Sequence, residues 1–164
     1  MMAFDAVLLL QSRRGARTVE MGSFAEGMMT TALQPDEMLT QIRMRPWDPA
    51  HGASFVEFAR RHGDFAVASA AAMIELDPSL RVSRASLTLG GVAATPLRLR
   101  DAERALIGRR GDEGFTKVAQ YADECDALDD PAFPSWYRRR LAVTLLARAI
   151  DRAYRRAAAR AVKA

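Results

Sequence analysis

The segment Arg60-Arg61-His62-Gly63-Asp64-Phe65-Ala66 gathers two guanidinium groups, an imidazole, a carboxylate and a phenyl ring around one glycine. Glycine frees the backbone for a reversal, and its neighbours offer hydrogen-bond donors beside an apolar face, so the segment reads as a ligand-facing turn. The plainer reading is a hairpin turn in which Gly63 takes a positive φ and Asp64 bonds the local backbone. The residues by themselves leave both open. Elsewhere the chain is poor in reactive groups. Its histidines are His51 and His62 and its single cysteine is Cys125, a set that provides no two-histidine metal motif, no disulfide and no cysteine-rich cluster. Cys125 is expected as a reduced, buried thiol. The acidic pairs Asp36-Glu37 and Asp129-Asp130 fall in turn-rich stretches, where carboxylates bond local backbone more readily than they perform acid–base chemistry. No Gly-x-Gly-x-x-Gly or P-loop pattern occurs, and Gly90-Gly91 is expected to mark a close backbone approach or a bulge at a strand end.

The elements that must position the turn follow from periodicity. Ala6 to Gln11 and Arg17 to Met21 flank a polar glycine-containing link, a hairpin pattern, and Val7 to Leu10 suggests a strand buried on both faces. Ser23 to Thr31 has no clear period. Glu37 to Arg45 alternates, with Met38, Thr40, Ile42 and Met44 opposite Leu39, Gln41 and Arg43. The stretch Pro46 to Gly52 collects two prolines and a glycine and reads as a lobe boundary. Ser54 to Arg60 alternates again. Ala66 to Leu76 contains Ala70-Ala71-Ala72, which favours helix by propensity, but the turn Asp77-Pro78-Ser79 and the period of two at Ala85, Leu87 and Leu89 favour strand. Ser86, Thr88 and Gly90 then face the opposite way. Beyond Pro96 the spacing is helical: Ala102, Ala105 and Leu106 up to Gly108, then Phe115, Val118, Ala119 and Ala122 behind a cap at Asp112. A last helix carries Leu141, Leu145, Leu146, Ala149, Ile150, Ala153, Tyr154 and Ala157. Three strands followed by three helices predict an α+β lobe with an antiparallel sheet packed on one face by helices.

The 164 residues suffice for one ordinary core or two small lobes, and 49% hydrophobic with 27% charged residues is a globular balance. The net charge of +4 invites a nucleic-acid reading. Most of the excess, however, lies on the last helix, at Arg138, Arg139, Arg140, Arg148, Arg152, Arg155, Arg156, Arg160 and Lys163, where a solvated face is the simpler reading. Nucleic acid is therefore not an expected partner. The N-terminus lacks the pattern of a secretory signal and the run Val7 to Leu10 is too short to span a bilayer, so a cytoplasmic location without a membrane span is the default.

The order of these segments resembles one family: the FAD-binding medium subunit of molybdenum hydroxylases, the group containing carbon monoxide dehydrogenase and xanthine dehydrogenase. The resemblance spans nearly the whole chain and is carried most by Arg60 to Ala66, by Leu89 to Pro96 and by Tyr137-Arg138-Arg139. It implies that residues 1–46 are the distal portion of an FAD-binding α/β domain and residues 52–164 the C-terminal α+β domain of the subunit. It also implies FAD as cofactor, with Asp64 and Phe65 as flavin contacts, Arg61, His62 and Gly63 shaping the turn, and Leu39 packing on the cofactor. The chain would then be a subunit of an oxidoreductase. Electrons would pass to FAD from iron–sulfur clusters and on to an acceptor, while a molybdenum-binding large subunit and an iron–sulfur small subunit hold the other cofactors. In the family the glycine-rich loops that bind the pyrophosphate precede the segment matching Ala3 to Val7. The chain is thus expected to be a fragment or to meet those loops on a separate polypeptide. The alternative is a docking module that does not bind FAD by itself.

Overall fold

The computed structural model describes residues 1–111 and 114–162. The expected cap at Asp112 and the terminal charge of Lys163 lie outside the described residues. After a short 3-10 turn at Met2–Phe4 come β1 (Val7–Ser12), β2 (Gly15–Glu20), a single turn of helix α1 (Met21–Phe24), β3 (Ala25–Gly27), β4 (Thr30–Thr31) and β5 (Met38–Arg43). Strand β1 is central in an antiparallel sheet of order β2-β1-β5. Its apolar run was expected to be buried on both faces, but only Leu8 and Leu10 are fully buried, with Val7 and Leu9 half-buried. The reason lies in the neighbours. Every residue of β5 is exposed, including Met38, Leu39 and Ile42, so one side of this sheet has little cover. Two ion pairs fasten the connection ahead of β5 onto the β1–β2 hairpin: Arg17 of β2 to Glu37 at 2.7 Å and Arg14 of the hairpin turn to Asp36 at 2.8 Å.

The second sheet contains β6 (Gly52–Phe58), β7 (Ala68–Leu76) and β8 (Val82–Gly90), antiparallel in that order, with a two-residue β9 (Leu97–Arg98) added at the edge beside β8. The alanine run belongs to a strand: Ala70 pairs with Val56 and Leu89, and Ala72 with Ser54 and Leu87. Tertiary burial overrides helix propensity here, because small side chains let a helix approach the strand closely. The chain continues with α2 (Arg100–Leu106), α3 (Phe115–Ala119) running into a 3-10 segment (Gln120–Glu124), and the long α4 (Ser135–Ala161). Helix α4 lies along β6 and β7, burying Leu145, Leu146, Ala149, Ile150 and Ala153 against Ala70, Ala72, Ile74, Leu87 and Leu89. Gly52 permits the contact, since a Cβ there would stand 1.9 Å from the Ala153 carbonyl oxygen.

The other face of this sheet differs from the half-solvated strand expected. Ser86 is wholly buried and Thr88 nearly so. The N-terminal turn covers part of the face: Ser86 Oγ donates to the Ala3 carbonyl at 2.7 Å, and Ala3, Trp47 and Met73 form a small apolar cluster. Arg98 reinforces the junction, donating to the Met2 carbonyl at 2.8 Å and pairing with Asp5 at 3.0 Å, while the buried Glu103 carboxylate accepts from Arg98 and from the Leu87 N–H. The Arg84 guanidinium sits 3.9 Å from the centre of the Trp47 ring. The basic residues of α4 are partly drawn into the fold as well, with Arg156 and Arg160 donating to the carbonyls of Ala53 and His51.

Candidate functional site

Strand β6 ends at Phe58 and β7 begins at Ala68, and the intervening residues form the turn singled out by composition. Gly63 takes φ +88°, the left-handed region that favours glycine, and the Asp64 N–H donates to the Arg61 carbonyl at 3.2 Å. Arg61, His62, Gly63, Asp64 and Phe65 are all exposed, Phe65 completely so. Among the described residues, Asp64 is the residue between Arg61 and Ala66 whose N–H reaches a protein acceptor. The tip therefore presents unpaired backbone donors beside a bare phenyl ring. That combination suits a fused heteroaromatic ligand with one apolar edge and one edge of acceptor atoms, and a flavin ring has this character.

The stem is built quite differently from the tip. Val67 is buried and its N–H donates to the Phe58 carbonyl at 2.8 Å. Gly91 adopts φ +75°, and a Cβ there would stand 2.8 Å from the Ala66 carbonyl oxygen, so the pair Gly90-Gly91 serves a close backbone approach. The Phe58 ring meets Tyr137 edge-on with centroids 6.4 Å apart, Tyr137 stacks on Phe133 at 6.2 Å, and the Arg60 guanidinium lies 5.7 Å from the Phe133 centroid. Asp129 and Asp130 are structural, accepting from the N–H groups of Ser135, and of Ala132 and Phe133, just ahead of α4. Arg138 lies 9% exposed beneath the turn, paired with Asp130. Its burial was missed among the arginines of the last helix, although Arg138, Ala142, Leu145, Leu146 and Ala149 fall at helical spacing on one face.

Leu39 is not on this element. It sits in β5 opposite Leu10, 37% exposed, on the other sheet. A cleft of about 700 Å³ opens where the lobes meet, lined by Asp5, Glu20, Arg43, Arg45, Arg98 and Arg100 among others, and no turn residue lines it. Cys125 is half-buried against the core, and burial pushes its thiol up, which disfavours the nucleophilic thiolate. Among the described residues no group of three His, Cys, Asp or Glu side chains is placed to hold a metal ion, and no helix is long and apolar enough to cross a membrane.

Comparison with known proteins bears on both sheets. The family described as the CO dehydrogenase flavoprotein C-terminal domain matches residues 53–153, and that of the FAD-binding domain in molybdopterin dehydrogenase matches residues 1–47. The carbon monoxide dehydrogenase medium chain of Afipia carboxidovorans is 33% identical over 159 residues, covering 96% of this chain and 55% of the relative. The 6-hydroxypseudooxynicotine dehydrogenase complex subunit alpha of Paenarthrobacter nicotinovorans is 28% identical over 159 residues, covering 96% and 54%. A crystal structure of the Cu,Mo-CO dehydrogenase superposes with a TM-score of 0.88 at 32% identity, covering 95% of this chain and 55% of that one. The chain spans about half the length of the curated relatives it matches.

Proposed function

The chain belongs to the CO dehydrogenase flavoprotein family, the FAD-binding medium subunits of molybdenum hydroxylases, and from that membership we propose that it forms one wall of a flavin site within a multi-subunit dehydrogenase. The observation that carries the proposal is the turn after β6, whose tip exposes the whole of Phe65 beside unpaired backbone donors while its stem is buried. FAD, when bound, supplies electron exchange between iron–sulfur clusters and an external acceptor. In this reading Phe65 covers the apolar edge of the ring system and excludes water from it. Asp64 contacts the polar edge, and Arg61, His62 and Gly63 hold the turn in shape. Leu39 contributes an apolar contact from the other sheet. Residues 1–46 and 52–164 then act as two domains of the subunit, with a molybdenum-binding large subunit and an iron–sulfur small subunit as partners in the cytoplasm. None of the turn residues breaks a substrate bond.

Isolation of the native complex through this chain tests the reading. A yellow preparation that releases FAD on denaturation and carries molybdenum and iron–sulfur subunits is expected; a colourless preparation without those subunits contradicts it. A second reading, a docking module without its own flavin contact, draws on a different observation. The first sheet and its connections expose Met28, Met29, Met38, Ile42 and Met44, an adaptable apolar surface of the kind that suits assembly.

A further inference from the structure

We propose that Arg138 is the positioning residue of the turn, fixing through the Val67 carbonyl where Asp64 and Phe65 stand; this rests on the flavin reading of that turn. A guanidinium buried in the first turns of a helix is unfavourable twice over, through desolvation and through the positive end of the helix dipole, and needs several compensating contacts. Arg138 has them. Its Nη1 donates to the carbonyls of Val67 and Gly91, both at 2.8 Å, its Nη2 meets Asp130, and its Nε donates to the Phe133 carbonyl at 3.3 Å. Its guanidinium also lies 5.6 Å from the centroid of the Phe133 ring, the ring that Arg60 approaches from the entry side of the turn.

The geometry places one cluster at both ends of the turn. Entry is held by Phe58 against Tyr137 and Arg60 over Phe133; exit is held at Ala66 and Val67 between Gly91 and Arg138. Docking of α4 does not need this arginine, because the apolar stripe from Leu145 to Ala157 already seats the helix on β6 and β7. Nη1 alone serves the two carbonyls while Nη2 and Nε turn to Asp130 and to the Phe133 carbonyl, so one planar fork holds four acceptors at once, and a lysine reaches the same place with a single point charge and no fork.

The test uses the full chain and amide-resolved NMR, with Arg138→Met and Arg138→Lys as variants. Arg138→Met is expected to speed hydrogen exchange at the Val67 amide about tenfold and to lower the order parameters of residues 61–66, while amides inside β7 and β8 keep their protection. Arg138→Lys should fall between that variant and the wild type. In an FAD titration followed by flavin fluorescence the dissociation constant should rise in the same order. Exchange that accelerates equally across β7, β8 and the turn assigns Arg138 a merely structural role and overturns the proposal, as does an unchanged Val67 amide. Should Arg138→Met fail to fold, Asp130→Asn loosens the fork from its exposed side. A smaller acceleration confined to the turn supports the proposal, and no change there overturns it. The expected exchange pattern without any flavin quenching by the wild type overturns the flavin reading alone and supports Arg138 as the residue that sets the turn.

Discussion

Phe65 stands with its whole side chain in solvent, so truncating it removes no contact within the chain. Phe65→Ala should leave the melting temperature within a degree or so of wild type, since exposed positions away from special contacts change stability by only about 0.5 kcal/mol. A large fall in thermal melts would mean that the ring packs on the protein instead of awaiting a ligand. Glu37 is the opposite kind of residue. Hydrogen bonding from Arg17, then from the Gln34 N–H, holds its carboxyl down to about 2 from the ordinary 4.5. A depressed folded-state value stabilises the protein fully above the unfolded value and loses that contribution as pH falls toward the folded one. Thermal melts from pH 6 to pH 2.5 should therefore show wild type losing more stability below about pH 4.5 than Glu37→Gln. Parallel curves would contradict the pairing. The chemistry of both residues was partly legible in the sequence, because Gly63 announced the turn and Asp36-Glu37 announced a local backbone contact. Arg138 was concealed by its company: eight arginines share α4, and only the apolar spacing around position 138 separates the buried one from the solvated ones.

At the scale of elements, alternation and helical spacing located the three long strands and the long final helix, because each has one face committed to the core. The failures have physical causes. The second face of β8 reads as polar, yet Ser86 is buried there through a single hydrogen bond to Ala3, a pairing across more than eighty residues that no local pattern encodes. Gly52 reads as a boundary residue, but it lies in β6 and admits α4. A Cβ at position 52 meets backbone of Ala153 and Ala157 at 1.9 and 2.5 Å, atoms that cannot rotate away. Gly52→Ala should cost at least about 1–3 kcal/mol, whereas Gly22→Ala, which adds a Cβ to open space, should be nearly neutral. Equal melting temperatures for the two variants would refute the close approach. Leu146, fully buried between α4 and the sheet, should lose about 2–5 kcal/mol as Leu146→Ala in chemical denaturation, and less than 1 kcal/mol would place it outside the core.

For the whole molecule, the two sheets divide the work. The second has a continuous core and carries the turn on a buried stem, while the first keeps β5 wholly exposed and is tied to the second through Ala3, Asp5, Trp47, Arg84 and Arg98. Periodicity and motif order made both sheets and the family legible, whereas the contact between them was not, because it depends on single polar groups far apart in the chain. Leu39 and the turn occupy different sheets, so both can touch one ligand only if that ligand reaches from one to the other. A fluorescence titration of FAD with the purified chain, wild type against Phe65→Ala, tests whether the turn meets a flavin. With Phe65 in the wall of a flavin site, weak but saturable quenching of flavin fluorescence by the wild-type chain at high micromolar protein is expected, and its loss in Phe65→Ala. Absence of quenching by the wild type, or quenching that Phe65→Ala leaves intact, would contradict it.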